Sequence, residues 1–171
     1  MGADKATIDW RGRPLWEWQI EKLRELEPVK IFLSARADPA WRPTDVEFVP
    51  DAQPSRGPLS GLAATLARAV SEHTLVLAID LPAMTIGHLQ YLCALVAPGV
   101  GVVPHSDGRA EPLAAIYPGE TRVFFAKALR GKDASLQPLI DQLTACGRVK
   151  KVEITPDGYA LYQNMNEPGD L

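Results

Sequence analysis

Asp80 ends the apolar run Thr74-Leu75-Val76-Leu77-Ala78-Ile79 and is followed by Leu81-Pro82. A short, β-branched run bounded by polar residues reads as a buried strand, and a carboxylate is costly inside one. Proline stops the strand, which puts the acid at its carboxyl end, where open α/β sheets build their ligand crevices. The chemistry open to it there is binding of a metal ion or of the phosphates a metal carries. The other reading is a cap for the helix opening near Thr85, although a cap normally lies immediately before its helix. Asp51 follows a second apolar run, 46–49, and Pro50. If the two strands are parallel, Asp51 and Asp80 share one rim, where two carboxylates can hold Mg²⁺ with water and phosphate completing its shell. Alone, Asp51 reads as a turn residue after proline, and it is the pairing with Asp80 that brings in the metal.

Gly57-Pro58-Leu59-Ser60-Gly61 opens a helix six residues after Asp51. Its glycines permit close backbone approach, and first-turn amides suit an anion or the carbonyl edge of a base. Lys5, after Met1-Gly2-Ala3-Asp4, is the cation that could offset phosphate charge as a point charge, or else an exposed lysine near a terminus. Near the carboxyl end, Asn164 and Asn166 are two residues apart, so on an extended segment both side chains face one ligand. Asn166 could equally cap a last short helix holding Pro168. His73, His88 and His105 form no nucleophile pattern, and no Ser, His and Asp set suggests itself.

These residues need a frame. At 171 residues the chain is long enough for one domain with its own core, and residues 1–171 read as a single unit. With 18 basic and 21 acidic residues the net charge is −3, which excludes a nucleic-acid footprint built on a basic face. Cys93 and Cys146 lie far apart in no metal-ligand pattern, each in an apolar helical context that suits a buried free thiol and a reducing cytoplasm. No apolar run reaches the length of a membrane span, and the first residues lack the apolar core of a signal peptide.

Helical spacing of apolar residues predicts helices over 15–26, 59–71, 86–96, 121–129 and 136–146. Strands are expected over 29–34, 46–49, 74–79, 100–103, 113–117, 149–154 and 159–162, with Pro39 to Pro43 making one connection irregular. Strands alternating with helices indicate an α/β fold with a mostly parallel sheet covered on both faces. The stretch 100–117, with Asp107-Gly108 as a turn signal, is expected to form a small antiparallel excursion.

Taken together, Met1-Gly2-Ala3-Asp4-Lys5, Gly12-Arg13-Pro14-Leu15, Asp51 with Gly57 to Gly61, Asp80-Leu81-Pro82 and Asn164-Met165-Asn166-Glu167-Pro168 resemble the molybdenum cofactor guanylyltransferase family in order along the whole chain. Glu111-Pro112 after Asp107-Gly108-Arg109 is similar to a further family segment. The resemblance implies a Rossmann-like, three-layer nucleotidyltransferase fold and transfer of GMP from GTP to molybdopterin in the cytoplasm, with molybdoenzymes or other cofactor-biosynthesis proteins as possible partners. By the same resemblance Lys5 binds the GTP phosphates, Asp51 and Asp80 contact the nucleotide, and Asp80 holds Mg²⁺. Gly57 and Gly61 shape the guanine pocket, and Asn164 and Asn166 lie toward molybdopterin. Related cytidylyltransferases usually lack the Gly-Pro-Leu-x-Gly segment, which favours guanine.

The chain departs from the family in two places. The family begins with a buried strand and a Leu-x-Gly-Gly-x-Ser-x-Arg loop ahead of the segment where this sequence starts, so the first strand is expected to be absent. Its two neighbours are then expected to lack ladder partners. The family often has Asn at the position of Arg36, which leaves one nucleotide contact open. Two other readings stand beside the enzyme: a related CMP or sugar-phosphate nucleotidyltransferase, and a non-catalytic module that binds molybdopterin or a partner protein.

Overall fold

The computed structural model describes residues 4–165, so Asn166 lies outside the described residues. A two-residue ribbon, β1 (Asp9–Trp10) against β2 (Arg13–Pro14), leads into α1 (Leu15–Glu25). β3 (Phe32–Ala35) and β4 (Glu47–Pro50) pair in parallel, and α2 (Pro58–Arg68) connects them to β5 (His73–Leu77). The chain continues through α3 (Ile86–Ala94), β6 (Gly101–Ser106), β7 (Arg109–Ala110), β8 (Ala114–Pro118), α4 (Arg122–Arg130), α5 (Leu136–Ala145) and β9 (Val149–Glu153).

Alternation along the strands shows why the sheet needs helices on both faces. Val103, Ala115 and Tyr117 point into one core with Leu59, Leu62 and Leu66 of α2, Phe125 of α4, and Ile140 and Leu143 of α5. Their neighbours Val102 and Ile116 point the other way, onto Leu92 of α3. Every second residue therefore reaches a different apolar layer, which is the period a strand imposes and the pattern of a three-layer α/β unit. Phe125 and Tyr117 meet edge to face at 5.0 Å, and both rings are fully buried.

Among the described residues the sheet lies in two pieces, the β3–β4 pair and a five-stranded piece in which β5 pairs with β8, β8 with β6, and β6 with both β7 and β9. The parallel pairs are β3 with β4 and β6 with β9, and β5–β8, β6–β8 and β6–β7 are antiparallel. Asp107 and Gly108, both at positive φ (49° and 75°), make the tight turn expected between β6 and β7. The parallel share is smaller than the alternation of elements suggests, because β8 runs antiparallel between β5 and β6 and β7 folds back on β6. Between β3 and β5 lies a cavity of about 1440 Å³, lined by residues 30–34 along one side and 73–79 along the other. It is walled by Ile20 and Leu23 of α1 and by Leu62 and Thr65 of α2. Among the described residues, each of the two strands facing it is paired along one edge. All five residues of β5 are consequently half-buried, not the fully buried set its apolar composition suggests.

Two strand expectations change. The strand expected from residue 29 begins at Phe32, after Val29, which is 96% exposed. The strand expected at 159–162 is a 3₁₀ turn, Pro156–Tyr162: Pro156 sits in its first turn and cannot donate to a ladder. Cys93 and Cys146 are free and exposed instead of buried. No helix of the described residues is long and apolar enough to cross a membrane.

Candidate nucleotide site

β5 stops at Leu77, the Ala78 N–H still donates to Leu113 O (2.7 Å), and the chain then turns at Ile79–Asp80. The strand is thus shorter than its apolar run, and Asp80 leaves it on a turn. Thr85 caps α3 by accepting from the His88 N–H (3.2 Å), so Asp80 is not that helix's cap. Its carboxylate instead faces Lys5 Nζ at 3.7 Å, with the two side chains 24% and 46% exposed. An ion pair this open to water contributes little to stability and leaves both charges reachable by a ligand.

Lys5 is held in place. It begins a 3₁₀ turn, Lys5–Thr7, capped by Asp4, whose carboxylate accepts from the Ala6 N–H (3.1 Å) and from Trp41 Nε1 (2.8 Å). The backbone that carries Lys5 is therefore capped and tied, while the Lys5 side chain is exposed. Trp41 is in turn stacked on Trp16 of α1 at 5.3 Å, which ties this turn to the first helix. The carboxyl-terminal segment reaches the same place: the Met165 N–H donates to Asp80 O (2.8 Å), which brings exposed Asn164 beside the turn.

Asp51 sits on the other bank of the cavity. Its N–H extends the β3–β4 ladder to Ala35 O (3.0 Å) and its carboxylate accepts from Ser34 Oγ (2.8 Å), so it is a ladder residue and not a turn residue. Gly61 of α2 packs directly on this pair. A Cβ at Gly61 would lie 2.8 Å from Ser34 Oγ and 3.0 Å from Asp51 Oδ1, so only glycine lets the helix approach so closely. Gly57 takes φ +66° at the start of α2, a left-handed value that favours glycine, and no side chain caps the helix there. The preceding loop is braced by Ser60 Oγ accepting from the Arg56 N–H (2.7 Å) and by the Arg56 guanidinium donating to the carbonyls of Leu129, Gly131 and Lys132. Arg36, Asp51, Ser55, Gly57 and Gly61 all line the cavity. This bank offers carboxylate and carbonyl acceptors and the Arg36 guanidinium, a set suited to the edge of a base.

Asp51 and Asp80 have different partners within the chain. One is bonded to Ser34 and the other to Lys5, and they leave strands on opposite banks of the cavity. Among the described residues no cluster of three or more His, Cys, Asp or Glu could hold a metal by itself. The donor set at Asp80 still fits Mg²⁺: a single reachable carboxylate suits an ion that keeps several waters and takes phosphate oxygens as its other ligands.

The histidines are engaged elsewhere, His88 Nε2 with Tyr162 Oη (2.5 Å), His105 Nε2 with Glu153 (3.0 Å) and His73 Nε2 with Ala97 O (3.1 Å). Near Tyr162, burial raises the Glu111 carboxyl above the usual carboxylate range despite Arg109. Burial, followed by Glu111 and Tyr91, raises the Tyr162 phenol.

Residues 1–147 match the family described as MobA-like NTP transferase domain. The chain belongs to the MobA-like NTP transferase family. Among the relatives of this family member, a probable molybdenum cofactor guanylyltransferase of Opitutus terrae is 33% identical over 174 residues, covering 99% of this chain and 86% of that protein. Among solved structures, molybdopterin-guanine dinucleotide biosynthesis protein A of Archaeoglobus fulgidus superposes with a TM-score of 0.72 at 21% identity, over 99% of this chain and 87% of that one. A nucleotidyl transferase of Methanothermobacter thermautotroptrophicus gives 0.76 at 15% identity, over 98% and 82%. At these identities the superpositions establish the nucleotidyltransferase fold and nothing finer.

Three residues that sequence reasoning missed belong to the site of this MobA-like chain. Ser34 fixes Asp51, and Gln19 and Lys22 of α1 grip the turn that carries Asp80. Gln19 and Lys22 lie in a helix whose spacing announces only an apolar face, and nothing in that pattern marks a buried amide or ammonium as bonded to a distant loop.

Proposed function

We propose that this protein transfers GMP from GTP to molybdenum-molybdopterin, giving molybdopterin guanine dinucleotide and pyrophosphate, in the cytoplasm. Family membership and the names of the relatives support the reaction class. The observation that carries the reading is the convergence at Asp80: Lys5 from one end of the chain and the Asn164–Met165 backbone from the other meet on one turn.

In this reading the guanine base lies on the Asp51 bank, held through the opening of α2 between Gly57 and Gly61. The triphosphate crosses toward Lys5, which supplies positive charge to it. Asp80 would hold Mg²⁺, which when bound would neutralise charge on the phosphates. Asn164 faces molybdopterin. A terminal phosphate oxygen of molybdopterin attacks the α-phosphorus of GTP in line and pyrophosphate leaves. The attacking oxygen is already ionised at neutral pH, so the residues are asked to position and to neutralise, not to remove a proton. That accounts for a site whose histidines all point to other work.

The test is transfer of radiolabelled nucleotide to molybdopterin with Mg²⁺, comparing GTP, CTP and sugar-phosphate acceptors, for the parent and Asp80→Ala. GTP-dependent product that falls at least about a hundredfold in the variant supports the reading. Transfer surviving near the parental rate refutes the role of Asp80, and preference for CTP refutes the base. A second reading is a module that binds molybdopterin or a partner protein without turnover. GTP or molybdopterin binding in the absence of product would select it.

A further inference from the structure

Each main-chain carbonyl from residue 78 to 82 has a donor within reach, the two N–H groups of Gln19 serving three of them with the long contact to Ile79 O shared. Gln19 Nε2 lies 3.0 Å from Ala78 O, 3.4 Å from Ile79 O and 2.9 Å from Leu81 O. Met165 N donates to Asp80 O (2.8 Å), and Lys22 Nζ donates to Pro82 O (2.7 Å). Lys22 Nζ also donates to Gln19 Oε1 (3.1 Å). That contact settles the orientation of the amide: its oxygen faces the ammonium, so its two N–H groups face the turn.

Gln19 is 3% exposed and Lys22 8%. Burying an amide and an ammonium under the first helix is costly, and burial alone pulls Lys22 down from 10.5 to about 8. A core that needed only volume would use Leu or Met at both places. What the polar pair provides is a set of donors for carbonyls that point inward once β5 has left the ladder, and those carbonyls flank the carboxylate facing Lys5.

We propose that Gln19 and Lys22 are positioning residues for Asp80, holding the turn 78–82 so that the carboxylate is presented to the nucleotide's metal at a fixed height above α1. This rests on the functional reading of Asp80 above. Neither side chain touches substrate. They act through the backbone of the turn, and Gln19 carries the larger part because it spans three of the five carbonyls.

The experiment uses the full chain with Gln19→Met, Lys22→Met and Lys22→Arg, and reads the turn before it reads catalysis. Hydrogen exchange by mass spectrometry, with no nucleotide present, is expected to be at least tenfold faster over 79–84 in the two Met variants, with β6 and β8 unchanged. Lys22→Arg, which keeps a donor for Pro82 O, is expected to stay near the parent. Mn²⁺ titrated in the presence of GTP and followed by electron paramagnetic resonance is expected to bind at least fivefold more weakly to Gln19→Met. In turnover, kcat is expected to fall while KM for GTP holds, because the base bank is not touched. A residue that merely stabilised the fold would lower the melting temperature without this division. Exchange over 79–84 indistinguishable from the parent in a folded Gln19→Met overturns the proposal, and so does unchanged Mn²⁺ affinity. If Gln19→Met does not fold, Lys22→Met decides by the same two readings. A parent that binds no Mn²⁺ with GTP refutes the reading of Asp80 as the metal's ligand, and this proposal with it. Transfer lost despite intact Mn²⁺ binding counts against the reaction alone.

Discussion

Replacing Gly61 with alanine tests the base bank most directly, because the geometry there is tight enough to set a magnitude. The new methyl would sit 2.8 Å from Ser34 Oγ, 3.0 Å from Asp51 Oδ1 and 3.4 Å from Ser34 Cβ. Helix propensity favours alanine by about 1 kcal/mol. Against this, Ser34 and Asp51 cannot retreat independently, since the 2.8 Å hydrogen bond between them is the obstacle. Rotating Ser34 Oγ away breaks a bond to a charged group, worth about 1.5–3 kcal/mol, and Asp51 still has to give. The balance is a destabilisation of about 1–2 kcal/mol, read as a lower urea midpoint at unchanged slope. The larger consequence is for the nucleotide: with Asp51 displaced, GTP affinity by calorimetry should fall at least about tenfold, or about 1.4 kcal/mol. Ser34→Ala removes the nearest obstacle, so the double variant should lose less stability than the sum of the singles, by about 1 kcal/mol. Stability equal to or above the parent, with GTP affinity unchanged, would refute the claim that α2 is pressed against a functional carboxylate.

Lys5→Ala should weaken GTP binding about tenfold while moving stability by less than about 0.5 kcal/mol, since its pair with Asp80 is open to water; calorimetry showing unchanged affinity would remove Lys5 from the site. Acid should destabilise the fold through its surface pairs. Hydrogen bonds from Lys30, then Arg68, hold the Glu47 carboxyl below its usual range, as Arg24 does for Asp45 and Arg42 for Asp38. Their folded values lie below the unfolded ones, so the unfolded chain binds more protons in that window. The stability they contribute is present above the ordinary carboxylate range and is lost as pH falls through the depressed values. Urea midpoints at pH 5 and pH 3 measure the loss, and Glu47→Gln should make the profile shallower; an equally steep profile would assign the acid sensitivity to other groups.

Apolar spacing alone foretold α2, α4 and α5, because each buries one stripe in the core shared with the sheet and that stripe repeats at the helical period, and it foretold α1, which buries Leu15 and Ile20. The Asp107-Gly108 turn was legible because few residue pairs tolerate positive φ twice. Strand ends were less so. Thr74 to Ile79 is apolar throughout, yet the ladder ends at Leu77, since a strand lasts only while a neighbour accepts its hydrogen bonds. The 159–162 segment has strand-like residues but no partner edge, and a proline-started 3₁₀ turn satisfies its backbone locally.

For the candidate site, local order in the chain singled out Asp80, at the end of an apolar run, and the order of motifs shared with the family added Lys5, Asp51, Gly57, Gly61 and Asn164 as candidates, at places where a strand ends, a helix opens or a capped turn begins. What each touches was decided in three dimensions. That Asp80 meets Lys5 and not Asp51, that Ser34 and Gly61 enclose the other acid, and that Gln19 and Lys22 reach across some 60 residues to hold a turn (separations of 59 to 62 and of 60) are long-range pairings. Sequence encodes such contacts only through the fold that closes the distance. A local pattern reports which face of an element is buried, and the packing of other elements against that face decides whether a polar residue on it is a cost or a bond.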